Sequence, residues 1–376
     1  MFRPLWIEVD LKALRHNFKT IKKIVSSKTK IVATVKQYAY GHGLVPVARE
    51  LSRLGVNSFG VGSIEEAITL RDNGFTEPIL VLTTVFARYA HNFIKYQITP
   101  TVVDIKFARK LNKEALDRDI IFPIHVKIDT GMGRLGVHYE DAHEFIKKLR
   151  KLKNITLEGI FTHFPVADTD PEFTNSQIDI FNKFIARLHR EGITFKYCHS
   201  ANSIGLINYP SSHFNMVRPG LILYGIKPLA DIDSKLEPVL TLKSRIVFIK
   251  KIKKGTSVSY GRIYIAEKPT LIATIAIGYA DGYPWALSNC SKVIIRDRIF
   301  NVVGKVCMDH IMVDLEDRID IKIGQEVILL GRSKNVEIAA EDLASWAKTI
   351  PYEIVSRLSL KIPRIYKNPT QNSHSA

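Results

Sequence analysis

Lys30-Ile31-Val32-Ala33-Thr34-Val35 is a β-branched run of the length of one buried strand. After it come the polar stretch Lys36-Gln37-Tyr38-Ala39-Tyr40-Gly41-His42-Gly43, a helical pattern over 44–54, and a second short strand, Ser58-Phe59-Gly60-Val61. Strand, loop, helix, strand is the unit of a parallel sheet, because parallel neighbours need a long crossover that is usually a helix.

The unit repeats downstream. Ser63-Ile64-Glu65-Glu66 reads as a capping box opening the next helix. Strands are predicted at 78–82, 98–103, 122–128, 155–161, 195–198 and 215–217, alternating with helices at 86–95, 104–117, 140–152 and 201–208. A further helix, capped at Thr174-Asn175-Ser176-Gln177, carries Phe181, Phe184, Ile185 and Leu188 on one stripe. About eight such units predict an α/β fold, an N-terminal (β/α)8 TIM-type barrel over residues 1–233. A doubly wound open sheet is the alternative. No Gly-x-Gly-x-x-Gly follows the first strand, which lowers a dinucleotide-binding reading.

Past residue 233 the rhythm changes. Runs at 244–249, 271–277, 292–295, 298–303, 310–313 and 326–330 read as strands separated by Gly, Asp and Lys turns, with one helix at 339–348. This predicts a C-terminal mainly-β domain over 234–366. Residues 367–376 are polar and expected to be a disordered tail.

Composition narrows the class. Hydrophobic residues at 46% and charged residues at 24% are ordinary for a soluble globular chain and exclude collagen-like, coiled-coil and disordered classes. No apolar run reaches the ~18 residues of a membrane span, and the first ten residues do not read as a signal peptide. Three widely spaced cysteines, Cys198, Cys290 and Cys307, fit neither a disulfide framework nor a four-ligand zinc site, so a reducing, cytoplasmic setting is expected. The net charge of +17 allows nucleic acid, a membrane surface or an anionic ligand. Apolar residues interrupt its clusters, Lys147–Lys153 and Lys250–Lys254, as on a solvated helix face or turn, and no nucleic-acid-binding motif accompanies them. Neither a nucleic-acid nor a membrane partner is expected, and no metal.

In a barrel the chemistry sits where strands end. A lysine, Lys36, ends the first strand, and an uncompensated buried lysine is costly. Lys127 lies within the 122–128 strand and is expected to point into the barrel. Asp129-Thr130-Gly131-Met132-Gly133-Arg134 follows that strand, with an arginine able to grip a carboxylate. Thr162-His163-Phe164, His199-Ser200-Ala201-Asn202-Ser203 and Arg218-Pro219-Gly220-Leu221 follow the next three.

These stretches resemble the alanine racemase family. The cofactor-lysine motif is similar to Val35-Lys36-x-x-Ala39-Tyr40-Gly41-His42-Gly43, and the resemblance continues through Lys127–Gly136, Thr162-His163-Phe164, His199–Ser203, Arg218-Pro219-Gly220 and Leu223-Tyr224-Gly225. It runs on through Ser259-Tyr260-Gly261-Arg262, Gly278–Tyr283, Cys307-Met308-Asp309 and Pro351-Tyr352-Glu353. One departure is Gln37-Tyr38, where the family usually has Ala-Asn.

The resemblance implies a pyridoxal phosphate (PLP) isomerase that interconverts L- and D-alanine for peptidoglycan synthesis. Lys36 would be the cofactor-bearing lysine and one of two bases, with Tyr260 the second. Tyr40, Ser203, Gly220, Leu221 and Tyr352 would hold the phosphate, Asn202 would be a further cofactor contact, Arg218 would face the pyridine nitrogen, and His163 would support Arg218. Arg134 would hold the substrate carboxylate and Lys127 would be carbamylated. Met308 and Tyr279 would close the site across a homodimer interface, with Tyr260 supplied by the partner chain. A PLP decarboxylase, a racemase for another amino acid and a basic nucleic-acid-binding module are the alternatives. Arg218, where a decarboxylase would place a carboxylate against the ring nitrogen, disfavours the first.

Overall fold

A computed structural model describes residues 3–227 and 235–368. Its first element, β1 (Leu5–Asp10), is not part of a barrel. It pairs antiparallel with β11 (Leu240–Ile252) and parallel with β20 (Arg364–Lys367), so the β-rich sheet takes one strand from each end of the described chain. The expectation that the barrel begins at residue 1 therefore differs here. Lys367, read as the start of a tail, closes β20; the rest of that tail, beyond Asn368, lies outside the described residues.

Helix α1 (Leu11–Ile24) follows directly, capped by the Asp10 carboxylate on the backbone N–H groups of Lys12 and Ala13. Leu11, Leu14, Phe18 and Ile21 form its buried stripe, each worth roughly 1.5–3 kcal/mol of burial. Asn17 lies on the same side and is fully buried. Its amide nitrogen donates to the carbonyls of Leu223 (3.1 Å) and Glu237 (2.8 Å), and its oxygen accepts from the Glu237 N–H (2.8 Å). One residue thus joins α1 to the end of the barrel and to the chain leaving it.

The barrel strands are β2 (Lys30–Thr34), β3 (Ser58–Val61), β4 (Ile79–Val81), β5 (Thr101–Val102), β6 (Phe122–Asp129, with the short β7, Val137–His138, beside it), β8 (Ile155–Phe161), β9 (Tyr197–His199) and β10 (Met216–Val217). All pairs are parallel, in the order β4-β3-β2-β10-β9-β8-β6-β5. A parallel bridge between Leu80 and Thr99 closes the ring: the Thr99 N–H donates to Ile79 O (2.8 Å) and the Val81 N–H to Thr99 O (3.0 Å). The closed barrel is observed, and the open-sheet alternative is not.

Local details differ from expectation. The helix expected at Thr174 begins at Pro171, capped by Asp170, whose carboxylate accepts from the Phe173 N–H at 2.9 Å. Proline suits the first helical position because its missing N–H needs no partner there. Ser63 caps its helix as expected, accepting from the Glu66 N–H (3.2 Å). Glu66 does not reciprocate at Ser63; one of its oxygens accepts from the Gly62 N–H just before the cap and the other serves the neighbouring unit.

The β domain contains β12 (Ser257–Val258), β13 (Tyr264–Ile265), β14 (Thr270–Ile275), β15 (Lys292–Ile295), β16 (Arg298–Asn301), β17 (Ile311–Asp314), β18 (Glu326–Ser333) and β19 (Val336–Ile338). Strand β11, with 13 residues, is its spine and pairs with β1, β14 and β18. The hairpin of β12 and β13 carries Tyr260 at its tip.

Candidate active site

A cavity of about 280 Å³ opens at the C-terminal ends of the barrel strands, near the lower end of the size range of small-molecule sites. Lys36, Tyr40, Lys127, Arg134, His163, Asn202, Ser203, Arg218, Gly220, Leu221 and Tyr352 all line it. Thr34, Leu82, Thr83, Leu135 and Phe161 complete it and were not singled out. Gln37 and Tyr38, the departure from the family pattern, do not line it.

The lysine is presented by an unusual turn. Gln37, Tyr38, Ala39 and Tyr40 have φ of 52°, 53°, 56° and 53°: four consecutive non-glycine residues in the left-handed region. Each costs roughly 1–2 kcal/mol relative to a right-handed turn. Four bonds offset this within the backbone, from the N–H of Ala39 to Val35 O (2.7 Å), of Gly41 to Gln37 O (2.9 Å), of His42 to Ala39 O (3.0 Å) and of Gly43 to Tyr38 O (2.8 Å). The Glu66 carboxylate adds another from outside, accepting from the Tyr38 N–H (2.9 Å) while its other oxygen accepts from the Gly62 N–H (2.8 Å). Gly41 is required where the turn ends: at φ 81°, a side chain there would meet Val355 O at 2.3 Å.

The turn leaves Tyr40 buried against Tyr224 and Tyr352, with ring centroids 5.1 and 6.2 Å away. A Cβ at Gly220 would stand 2.7 Å from the Tyr40 hydroxyl, and the Gly220 N–H donates to Ser203 Oγ (2.9 Å). Two hydroxyls and bare backbone therefore meet at one point of the cavity wall, a cradle suited to phosphate oxygens. Asn202 caps the turn of helix beginning at Ser203, accepting from the Gly205 N–H (2.9 Å).

The rest of the cavity is cationic. Burial first, then Arg134 and Arg218, hold the Lys36 amine below its ordinary pKa, with Glu66 opposing. Lys127, 3% exposed, is lowered to about 8 by burial and then by Arg134 and Arg218. Burial pulls Arg218 down to about 9, so its guanidinium remains charged at neutral pH. Loop 129–134 winds round the Asp129 carboxylate, which accepts from the N–H groups of Gly131 (2.9 Å), Met132 (2.8 Å) and Gly133 (2.9 Å), and it carries Arg134 to the cavity. Two lysines and two arginines around one small cavity suit a ligand with several negative charges, as PLP with a substrate carboxylate would be.

Arg218 is held more firmly than expected, and by other groups. Nη2 donates to the carbonyls of Thr162 (2.7 Å) and Ser200 (2.9 Å), and Nη1 lies 2.6 Å from His199 Nδ1. His163, the expected support, is more distant, its Nδ1 3.4 Å from Nη2. His199 opens the polar stretch that follows the strand expected at 195–198, and that position, with its place in the family-like stretch His199–Ser203, was the signal of its role.

Three expected site residues lie elsewhere. Tyr260, Tyr279 and Met308 do not line the cavity and are 72%, 43% and 55% exposed. They belong to one region of the β domain: the Tyr279 N–H donates to Cys307 O (3.0 Å), and Ser259 Oγ donates to Lys305 O (2.7 Å). Among the described residues, no group of three or more His, Cys, Asp or Glu side chains could hold a metal ion, and no helix is long and apolar enough to cross a membrane.

A closed parallel barrel with a lysine at a strand mouth, a cradle beside it that suits a phosphate, and an attached β domain fits the class of barrel-fold PLP enzymes. Residues 9–228 match the alanine racemase N-terminal domain and residues 239–366 the alanine racemase C-terminal domain. The chain is 44% identical over 369 residues to an alanine racemase of Thermodesulfovibrio yellowstonii, covering 97% of this chain and 98% of the relative. It is 42% identical to one of Halothermothrix orenii, covering 97% of each. The solved alanine racemase of Clostridium difficile 630 superposes with a TM-score of 0.91 at 39% identity, over 97% of this chain and 96% of that one. A Bacillus anthracis alanine racemase with bound L-Ala-P gives 0.91 at 34% identity, over 97% and 95%. The chain belongs to the alanine racemase family, whose members are PLP-dependent isomerases.

Proposed function

We propose that this chain interconverts L- and D-alanine, supplying D-alanine for peptidoglycan in the cytoplasm, with Lys36 and Tyr260 as bases on opposite faces of the substrate. The observation that carries this reading is the cavity in which Lys36 stands beside Arg134, Arg218 and the Tyr40–Ser203–Gly220 cradle. When bound, PLP withdraws electrons from the substrate Cα, so that its proton can be taken by a modest base.

The chain's own residues do the rest. Tyr40, Ser203, Gly220, Leu221 and Tyr352 would hold the phosphate, with Asn202 beside them. Arg218, which keeps its proton, would face the ring nitrogen and leave it unprotonated. A cofactor facing an arginine rather than an acid would supply a weaker electron sink, which favours simple proton return over side reactions. Lys36, its proton affinity lowered by burial and by two arginines, removes or returns the Cα proton on one face. Arg134 holds the substrate carboxylate, and a carbamate on Lys127 orients Arg134. A neutral amine is the form that adds carbon dioxide, and Lys127 is lowered to about 8.

Tyr260 works from a second copy. Its exposure, with that of Tyr279 and Met308, supports a homodimer in which each β domain supplies these side chains to the other's barrel. The folding units on this reading run to about residue 233 and from there to 366, with β1 lent to the second. The test is direct: purified protein with PLP and L-alanine should generate D-alanine, detected with a D-amino-acid oxidase. Absence of D-alanine from a protein that retains PLP would sink the reading, and faster turnover of serine than alanine would move it to another racemase.

A further inference from the structure

Behind Arg218 lies a chain of side chains that descends the barrel away from the cavity. His199 Nδ1 is 2.6 Å from Arg218 Nη1, His199 Nε2 is 3.0 Å from His125 Nδ1, and His125 Nε2 is 3.7 Å from Glu158 Oε2. Lys196 Nζ stands 3.0 Å from the other Glu158 oxygen. Both imidazoles and the guanidinium are buried, while Glu158 and Lys196 reach solvent.

Only one arrangement of protons satisfies this chain. A guanidinium has donors and no acceptor, so His199 Nδ1 must be bare and its proton must sit on Nε2. That Nε2–H then donates to a bare His125 Nδ1, and the His125 proton sits on Nε2, facing a carboxylate that can only accept. The reverse direction would point an Nδ1–H at the arginine. A permanent donor at one end and a permanent acceptor at the other therefore fix the tautomer of two buried rings between them.

The backbone is shaped for this. Strand β6 pairs with β8 as Ile124 with Leu157 and then His125 with Gly159, so Glu158 is the extra residue of a β-bulge. Bulges re-aim side chains, and this one carries the acid of the chain. Its neighbour Gly159 leaves the space that the His125 ring fills, since a Cβ there would lie 2.4 Å from His125 Nδ1 and Cε1. His199 stacks on Phe161 (4.7 Å between centroids, 6° between planes), and Arg218 lies over the same ring at 5.1 Å.

We propose that Glu158 is a positioning residue for Arg218: through His125 it fixes His199 as an acceptor, and so holds the guanidinium aimed into the cavity. The proposal deepens the reading of Arg218 given above and rests on it for its catalytic consequence, though not for the proton arrangement itself. Burial and the Arg218 charge keep both imidazoles neutral, as the chain requires.

The test uses the PLP-loaded enzyme with 15N-labelled histidine, whose ring signals report which nitrogen bears the proton. Wild type should show His199 and His125 both protonated on Nε2. Glu158→Gln keeps an acceptor in its amide oxygen and should keep both tautomers, with kcat near wild type. Glu158→Lys puts a donor where an acceptor stood; it should move the His125 proton to Nδ1 and lower kcat by about tenfold or more, the scale of one hydrogen bond to a charged group, with KM little changed. If the lysine variant fails to fold, Glu158→Ala should show mixed tautomers and an intermediate kcat. A wild-type spectrum with the His199 proton on Nδ1 would overturn the proposal. So would wild-type kcat in a variant whose tautomers have moved, or unmoved tautomers in both the lysine and the alanine variants. Failure of the racemase reading is separate: it would appear as no turnover by the wild-type enzyme, with the spectra unaffected.

Discussion

The Glu66 carboxylate accepts a hydrogen bond from the backbone N–H of Tyr38 at 2.9 Å, across the gap between two successive barrel units. It ties the left-handed turn that carries Lys36 and Tyr40 to the start of the next helix, where its second oxygen holds the Gly62 N–H. Glu66 is buried, so both bonds form away from competing water.

Glu66→Gln keeps the shape but replaces one accepting oxygen with a donor, setting an NH₂ against a backbone N–H. Each buried donor left unmatched costs about 1–3 kcal/mol. The expected outcome is a lower urea midpoint and PLP affinity weakened about tenfold, read by titrating cofactor into apoprotein. Wild-type affinity in Glu66→Gln would show that the turn holds itself.

Lys36→Ala removes the amine and leaves the strand and cradle intact. The variant should bind PLP only non-covalently, lose the yellow colour after gel filtration and lack racemisation. General-base loss alone costs about 10²–10⁴ in rate, so a variant within tenfold of wild type would exclude Lys36 from the reaction.

Mixing two dead chains tests where Tyr260 acts. Lys36→Ala and Tyr260→Phe are each expected to be inactive in racemisation. If sites are shared between copies, a mixed dimer has one site with both lesions and one with neither, and activity returns. If each chain builds its own site, every site keeps one lesion. No recovery, with subunit exchange demonstrated by differently tagged chains, rules out sharing. Tyr260→Phe alone should stop deuterium uptake from L-alanine while leaving part of that from D-alanine.

Lys127 gives a pH signature. Its pKa is about 8 in the folded protein and about 10.4 when unfolded. Between those values the unfolded chain binds more protons, so this residue makes stability rise with pH across that window. Below about pH 8 both states are protonated and the full cost of the buried ammonium stands. In carbon-dioxide-free buffer, Lys127→Met should therefore be more stable than wild type at pH 7, by up to a few kcal/mol, and the difference should shrink towards pH 10. Added bicarbonate should raise the wild-type midpoint and leave Lys127→Met unmoved; equal responses would exclude the carbamate.

The barrel was legible because parallel strands, covered on both faces, read as short apolar runs such as Ile31–Ala33 and Ile79–Val81. The strand-end residues were legible for the same reason: once the strands are placed, their mouths are known. Strand β1 was not. Trp6-Ile7-Glu8-Val9 is followed by a helix and a barrel strand just as a barrel strand would be, and its partners near residues 240 and 364 cannot be inferred from local pattern. Glu66 was misread because a local capping box and a distant backbone partner demand the same residue at the same place. The Glu158–His125–His199 chain left no local trace, since three different strands contribute to it and a bulge turns its acid inward.

The lent strand orders the protein's assembly in time. β1 is synthesised before any part of the barrel, yet its hydrogen-bonding edges stay unmet until β11 and then β20 have left the ribosome. The barrel can mature early, whereas the β sheet is sealed by almost the last described residues. Tyr260 is carried by the domain that this final strand completes. A nascent or truncated chain can therefore possess a closed barrel while Tyr352, which lines its cavity, and Tyr260, the second base on the reading proposed above, still belong to an unfinished domain, so that barrel and activity arise as separate events in the life of each molecule.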